Sequence, residues 1–492
     1  MWVPSRIGAV LLVLMAVVVG STMAWPARAD SGPCDVPQGP PQLPDKFDWN
    51  GAYLLGDPGG WRSKAWDTGI NLCTWYNASA YYNAQGGLNR GAIAQGQIFS
   101  WIDLDLGKLT HADLFNDTFV HAAMYSMQGR PITVHEVGSF APVTFFEELT
   151  TTRLAAVWVE KRFLDGKLSL RAGQLGVDDE FIISPTATAF INGTFGFPSW
   201  MGTILPAGGV AYPLDGPGAR LKYSPTDAVT LMGGVFTGDP AGRANPVPQL
   251  DDRYGTTFNL NGGTFYIAEA AYSTAYANSG VALPGTYKLG AWFESGNRFD
   301  SPRYDITGGL LADPNSDGVP KRYSQDWGVY GIIDQTLFPG DKDGVHKLSS
   351  FLRIGGSPSD RNLIDFYVDG GLTFTGLIPQ RPTDLVGVGA SYNRISPAAR
   401  GFDRDTRAFA ALAATTDPAS FTLPTSPFAP VRDQEVMIEA IYTINITPYF
   451  VVDFDVQHFF HPSGHVLAPT GPGLGTVVRD ATVFGVNTQV KF

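Results

Sequence analysis

Cysteine is nearly absent: the 492 residues contain two, Cys34 and Cys73. That excludes a disulfide-stapled scaffold and leaves at most one bridge, Cys34 to Cys73, in an exported chain; two free thiols are the other reading. Charge is scarce too, at 16% of residues, and the positive sign is the rarer, with 34 Lys and Arg against 46 Asp and Glu. No basic patch supports a nucleic-acid partner. Long apolar runs are missing after the first residues. Ile7 to Val19 is one, preceded by Arg6 and followed by Ala27-Arg28-Ala29, the pattern of a cleavable secretory leader over residues 1–29. Beyond it no stretch approaches the roughly 18 apolar residues of a membrane-spanning helix. Nucleophile-elbow, phosphate-loop and dinucleotide fingerprints are also absent, so the sequence points to no enzyme and no cofactor.

What is present is glycine, at 57 residues, aromatics at 12%, and alternation of apolar and polar residues with little sustained helical periodicity. These favour an all-β chain. Alternation and turn chemistry place strands near 68–78, 93–106, 116–128, 152–162, 168–174, 218–224, 228–237, 262–272, 285–295, 327–338, 347–356, 363–374, 384–395, 435–446, 449–460 and 481–492. The connections alternate in length. "LDGK" (164–167), "SPTD" (224–227), "PGDKDG" (339–344) and "TPY" (447–449) are short, whereas 175–217, 238–261, 296–326, 396–434 and 461–480 are long. A soluble sandwich has no reason for that asymmetry. A transmembrane antiparallel β-barrel of about 16 strands does, with short periplasmic turns on one rim and long extracellular loops on the other.

Within "YFVVDFDVQHFF", Phe450, Val452, Phe454 and Val456 share one parity and Asp453, Asp455 and Gln457 the other, as a wall between lipid and water requires. The final segment, "ATVFGVNTQVKF", alternates in the same way and ends on Phe492, which reads as a C-terminal signal for outer-membrane assembly machinery. The expected organisation is a leader (1–29), a periplasmic extension (30–67) and a barrel (68–492) in the outer membrane of a Gram-negative bacterium.

Four segments, "GDPGGWRSKAWDTGINLCTWYNASAYYNAQGGLNRG" from Gly56, "RAGQLGVDDEFIISPTATAFINGTFGFP" from Arg171, "GGSPSDRNLIDFYVDGGLTFTGLIPQRPTDLVGVG" from Gly355 and "EAIYTINITPYFVVDFDVQHFFHP" from Glu439, resemble in order the carbohydrate-selective porin family, glucose-porin type. The resemblance implies a sixteen-stranded barrel that passes monosaccharides and related neutral polyols by facilitated diffusion. Outer-membrane lipid and lipopolysaccharide are the expected surroundings; a homotrimer, the habit of sixteen-stranded porins, stays open, since the sequence shows no apolar patch for a trimer face. A general diffusion porin and an outer-membrane barrel hydrolase are the alternatives.

A sugar pore needs polar groups to replace the water lost from hydroxyls and an aromatic face for C–H surface. Strand parity puts Asp103, Asp105, Arg171, Lys288, Trp292, Glu294, Arg353, Asp365, Asp369, Glu439, Asp453 and Asp455 on the water side. The loop 175–217 either covers the mouth or folds inward, where it would bring Asp178, Asp179, Glu180 and Trp200 towards Arg171. Arg62 and Lys64 would face the channel from the periplasmic side. Two segments mimic metal sites, and neither is expected to hold one. "DPNSDG" (313–318) opens like a calcium loop but has Ser324 where a bidentate Glu is needed. In "HFFHPSGH", His458 and His461 have opposite strand parity unless a turn intervenes before His465.

Overall fold

The structure, a computed structural model, describes residues 51–492 apart from 243–244, 279–280, 342–344 and 417–428. The leader, most of the extension and Cys34 lie outside the described residues. Sixteen strands follow: β1 (Ile70–Gly87), β2 (Gly91–Asp105), β3 (Thr118–Gly129), β4 (Thr152–Phe163), β5 (Leu168–Leu175), β6 (Gly216–Thr226), β7 (Val229–Thr237) and β8 (Thr264–Asn278), then β9 (Val281–Asp305), β10 (Pro320–Pro339), β11 (Lys347–Gly356), β12 (Ile364–Thr375), β13 (Leu385–Ile395), β14 (Gln434–Thr447), β15 (Phe450–Phe460) and β16 (Arg479–Lys491). Each pairs antiparallel with its neighbours in sequence, and β1 pairs with β16 through registers such as Tyr76↔Val490, so the sheet closes on itself. Closure removes the unpaired strand edge, without which no sheet is stable in lipid.

The alternation read from sequence becomes the two faces of this wall. Leu72, Ile98, Leu170, Leu221, Leu289, Val329, Val388, Phe454 and Phe484 are exposed on its outside, while Asn77, Gln97, Glu160, Glu269, Glu439 and Asn487 are buried on its inside. Apolar residues outside and polar residues inside invert the order of a water-soluble protein, and the contiguous outer belt is accounted for by lipid. At the periplasmic rim a short helix, Trp61–Asp67, is tied down by Asp57, which accepts from the Arg62 and Ser63 amides.

Two expectations fail in the loops. The stretch 296–326 is mostly strand, because β9 and β10 stay paired from Gln335↔Gly285 out to Pro320↔Asp305. At 25 residues β9 spans about 80 Å, far beyond the 9–11 residues that cross a membrane. The outer part of this hairpin therefore stands in water, where the lipid-face alternation used to find strands does not apply. The second failure is a 20-residue helix, Pro397–Thr416, inside the loop expected over 396–434. Its signal was present: Ser396 accepts from the Ala399 amide through its side chain, and Pro397 occupies the first helical position. An Arg303–Asp405 pair fastens it to the projecting β9.

Candidate functional site

Two loops turn into the barrel. Residues 130–151 follow β3 and 176–215 follow β5, and they bond to each other through Phe145 N to Ile191 O (2.9 Å) and Gly193 N to Pro142 O (2.9 Å). The wall receives them with buried carboxylates. Glu439 accepts from the Ile191 and Asn192 amides at 2.7 and 3.0 Å, Glu435 from Phe140 and Ala141 at 2.8 and 2.9 Å, Glu269 from Ile182 at 2.9 Å, and Asp334 from Thr186 at 3.0 Å. Charge-assisted bonds of this kind contribute roughly 1.5–3 kcal/mol each. Arg353 does the converse, donating to the carbonyls of Ile182, Thr194, Phe195 and Gly196 while Asp369 neutralises it at 2.6 Å.

Between these polar anchors the loop packs as a core. Phe181, Ile182, Trp200 and Met201 fill the lumen against Phe265, Trp292, Ile332 and Tyr367. The wall makes room with glycine at inward positions: a Cβ on Gly355 would sit 2.4 Å from the Trp200 ring, and one on Gly389 2.8 Å from Phe195.

What stays open is a cavity of about 1530 Å³ between the two loops and the inner faces of β1 to β5. On its strand wall Glu160 accepts from Arg162 at 2.7 Å, Arg171 at 2.8 Å and Arg220 at 2.9 Å, and Glu180 from the loop pairs with Arg171 (2.8 Å) and Arg220. Three guanidiniums against two carboxylates leave one positive charge in excess. The Arg171 guanidinium lies 3.8 Å from the centre of the Trp158 ring, and His121 stacks on Trp158 with centroids 4.7 Å apart. Asp103 holds His121 at 2.7 Å. Trp75, Phe99, Trp101 and Tyr125 extend the aromatic surface. The loops bring acids to the same cavity: burial and the charge of Asp179 push Asp178 up to about 7, and burial with both neighbouring charges raises Asp215 well above the usual range.

A family model described as "Carbohydrate-selective porin, OprB family" matches residues 89–492. The chain belongs to this family. It is 20% identical to porin B of Pseudomonas aeruginosa over 463 residues, covering 91% of this chain and 93% of that protein. The high-pH structure of Pseudomonas putida OprB superposes with a TM-score of 0.75 at 23% identity, over 91% of this chain and all of that one. The low-pH structure of the same protein gives 0.52 at 17% identity over the same shares. These likenesses carry the fold. Family membership makes the chain a Gram-negative outer-membrane porin, a non-enzymatic channel.

Of the residues expected to line this porin, Asp103, Arg171, Asp179 and Glu180 are in the cavity wall, and Arg171 and Glu180 are in direct contact. The others are placed elsewhere. Asp105 caps a short periplasmic helix by accepting from Lys108 N at 3.1 Å. Arg62 is buried and donates to the carbonyls of Leu72 and Phe492, so it ties the first strand to the last. Trp200 is buried against Tyr367 and donates to Ser357. Trp292 packs against the loop, Glu294 is buried outside the cavity wall, and Arg353 and Glu439 anchor the loop. Asp365 lies at a bulge between Ile364 and Phe366 and pairs with Arg394, and Asp453 accepts from Thr443 and Asn487. Of those placed by strand parity, Trp292, Glu294, Arg353, Glu439 and Asp453 are buried, and the loop packs on Trp292, Arg353 and Glu439.

Sequence reasoning missed Trp158, Glu160, Arg162, His121, Arg220 and the whole loop 130–151. A signal existed for three of them, since Trp158, Glu160 and Arg162 alternate with Val157, Val159 and Phe163. The candidate calcium loop consists of Asx turns in which Asp313 accepts from the Asn315 amide and Asp317 from Val319.

Proposed function

We propose that this porin carries monosaccharides and related neutral polyols by facilitated diffusion, and that the Arg162–Glu160–Arg171–Glu180–Arg220 network beside Trp158 is where the solute is recognised. The observation that supports this most directly is the Arg171 guanidinium lying over the Trp158 indole with its carboxylate partners alongside. Guanidinium and carboxylate edges offer donors and acceptors that replace water on vicinal hydroxyls, and the aromatic wall offers a surface for C–H bonds. Because each guanidinium already has a carboxylate partner, a neutral solute can exchange hydrogen bonds without separating ions, while a strongly charged one would have to compete with a formed network. Weak, distributed contacts of this kind let a solute enter and also leave.

The test is flux into liposomes carrying the purified porin. Monosaccharides are expected to cross faster than amino acids of similar size. Trp158→Ala is expected to reduce that preference about fivefold, corresponding to about 1 kcal/mol of aromatic contact. Equal rates for all small solutes would make this a general diffusion porin and refute the selectivity.

A further inference from the structure

Away from the cavity, on the extracellular side, Asp433 ends the β13–β14 loop and His461 and His465 lie in the turn that opens the β15–β16 loop. One carboxylate oxygen and two imidazole nitrogens of these residues lie within 4.8 Å of one another. We propose that Asp433, His461 and His465 form a binding site for a divalent transition-metal ion, Zn²⁺ being the representative, that clips these two loops together.

The donor set points to this class of ion. Two imidazoles and one carboxylate suit zinc, nickel or copper and are a poor match for magnesium or calcium, which take oxygen ligands. The geometry is close to what is required. His461 Nδ1 is 3.0 Å from an Asp433 carboxylate oxygen, and the His461 and His465 rings lie parallel with centroids 4.3 Å apart. With bonds of about 2.0–2.2 Å in a tetrahedral site, neighbouring donor atoms are about 3.4 Å apart, so donors already within 4.8 Å of one another have to close by at most about 1.4 Å to complete the set.

The backbone brings the rings together. His461, Ser463 and His465 all have positive φ, at 50°, 53° and 76°, a region that non-glycine residues occupy at a cost of roughly 1–3 kcal/mol each. The turn is pinned in that form by His461 N to Asp480 (2.9 Å), Ser463 N to Glu435 (2.6 Å) and Asp433 N to Gly464 O (3.1 Å). The expectation of no metal here rested on opposite strand parity of His458 and His461. In the structure His458, within β15, bonds Thr482, while His461 lies past the strand end in the turn, which introduces a different pair.

His461 and His465 also line a cavity of about 680 Å³, which leaves room for water as a fourth ligand. Arg90 and Arg479 line it too and oppose a cation, with Asp480 alongside and Asp433 in the ligand set offsetting them. The ion would also reach the inward loops indirectly. Glu435, which holds the Phe140 and Ala141 amides, accepts from Ser463 as well, and Ser463 Oγ donates to Gly138 O at 2.7 Å.

The experiment is titration of the EDTA-treated, full-length porin in detergent with Zn²⁺ by calorimetry and with Co²⁺ by visible absorption. Saturable binding of one ion per barrel is expected, weakened about tenfold or more by His461→Ala and by His465→Ala, comparable to the loss on removing a supporting group, and unchanged by His458→Ala. Heat-modifiable migration checks that each variant remains a barrel. A measurement on the unmutated protein stands beside them: Zn²⁺ should protect His461 and His465 from diethylpyrocarbonate while His111, at the periplasmic turn, stays reactive. Absence of saturable binding, binding indifferent to His465→Ala, or equal modification of His461 and His465 with and without Zn²⁺ would overturn the proposal.

Discussion

Replacing Arg353 by methionine removes a buried cation that holds the 176–215 loop by its carbonyls. Arg353 is about 1% exposed and donates to four loop carbonyls and both oxygens of Asp369. Methionine keeps much of the apolar stem but leaves the Asp369 carboxylate buried without its charge partner, a situation that costs roughly 3–5 kcal/mol. Undocking of the loop lets water reach that carboxylate, so the penalty acts on the docked state and shifts the docking equilibrium by the same amount. At a factor of ten per 1.4 kcal/mol, this is roughly a hundredfold to a few-thousandfold rise in the undocked population. Hydrogen exchange in detergent reads it at the Ile182, Ile191 and Asn192 amides, which are docked on Glu269 and Glu439. Single-channel conductance should rise together with exchange, because the loop fills lumen. The double variant Arg353→Met/Asp369→Asn separates charge from geometry: it should recover thermal stability but keep part of the fast exchange, since the loop carbonyls still lack the Arg353 donors. Exchange unchanged in the single variant, with the barrel intact, would refute the account of the loop as an electrostatically anchored plug.

The loop 130–151 should loosen as pH rises. Burial pushes Glu148, beside Tyr125 and Arg153, up to about 8 from 4.5, so the docked loop keeps a proton that the released loop gives up. The docking free energy is then fully present below about pH 4.5, is lost progressively up to about pH 8 and is flat above. Limited proteolysis at pH 5.5 and 8.5 checks this; cleavage of 130–151 should be faster at pH 8.5, Glu148→Gln should remove part of the difference, with Glu147, pushed by burial up to about 7 in the same loop, carrying a further part, and equal cleavage would contradict it. Cys73 is buried with Tyr53 beside the periplasmic rim, and the expectation that it joins Cys34 is tested by mass analysis without reduction: the bridged mass is predicted, and two alkylatable thiols would reject the pairing.

The period-two pattern determined by itself which residues form the wall and which way they face. A strand in lipid has one environment on each side, so Phe454 must face out and Asp453 in whatever the neighbouring strands are. The strand boundaries near 347–356 and 152–162 were legible for that reason, as was the alternation of short and long connections that set the two rims. Outside the membrane the pattern loses its cause, which is why the projecting part of the β9–β10 hairpin and the helix after Ser396 were read as loop. The lumen could not be read from one strand at a time. Arg171 and Arg353 have the same chemistry and the same inward parity, yet Arg171 lines the open cavity while Arg353 is buried under a loop from 157 to 171 residues earlier in the chain. Which inward residues meet solute was decided by where the two loops settle, and that depends on Glu269, Asp334, Glu435, Glu439 and Gly355 together, residues that no local window contains.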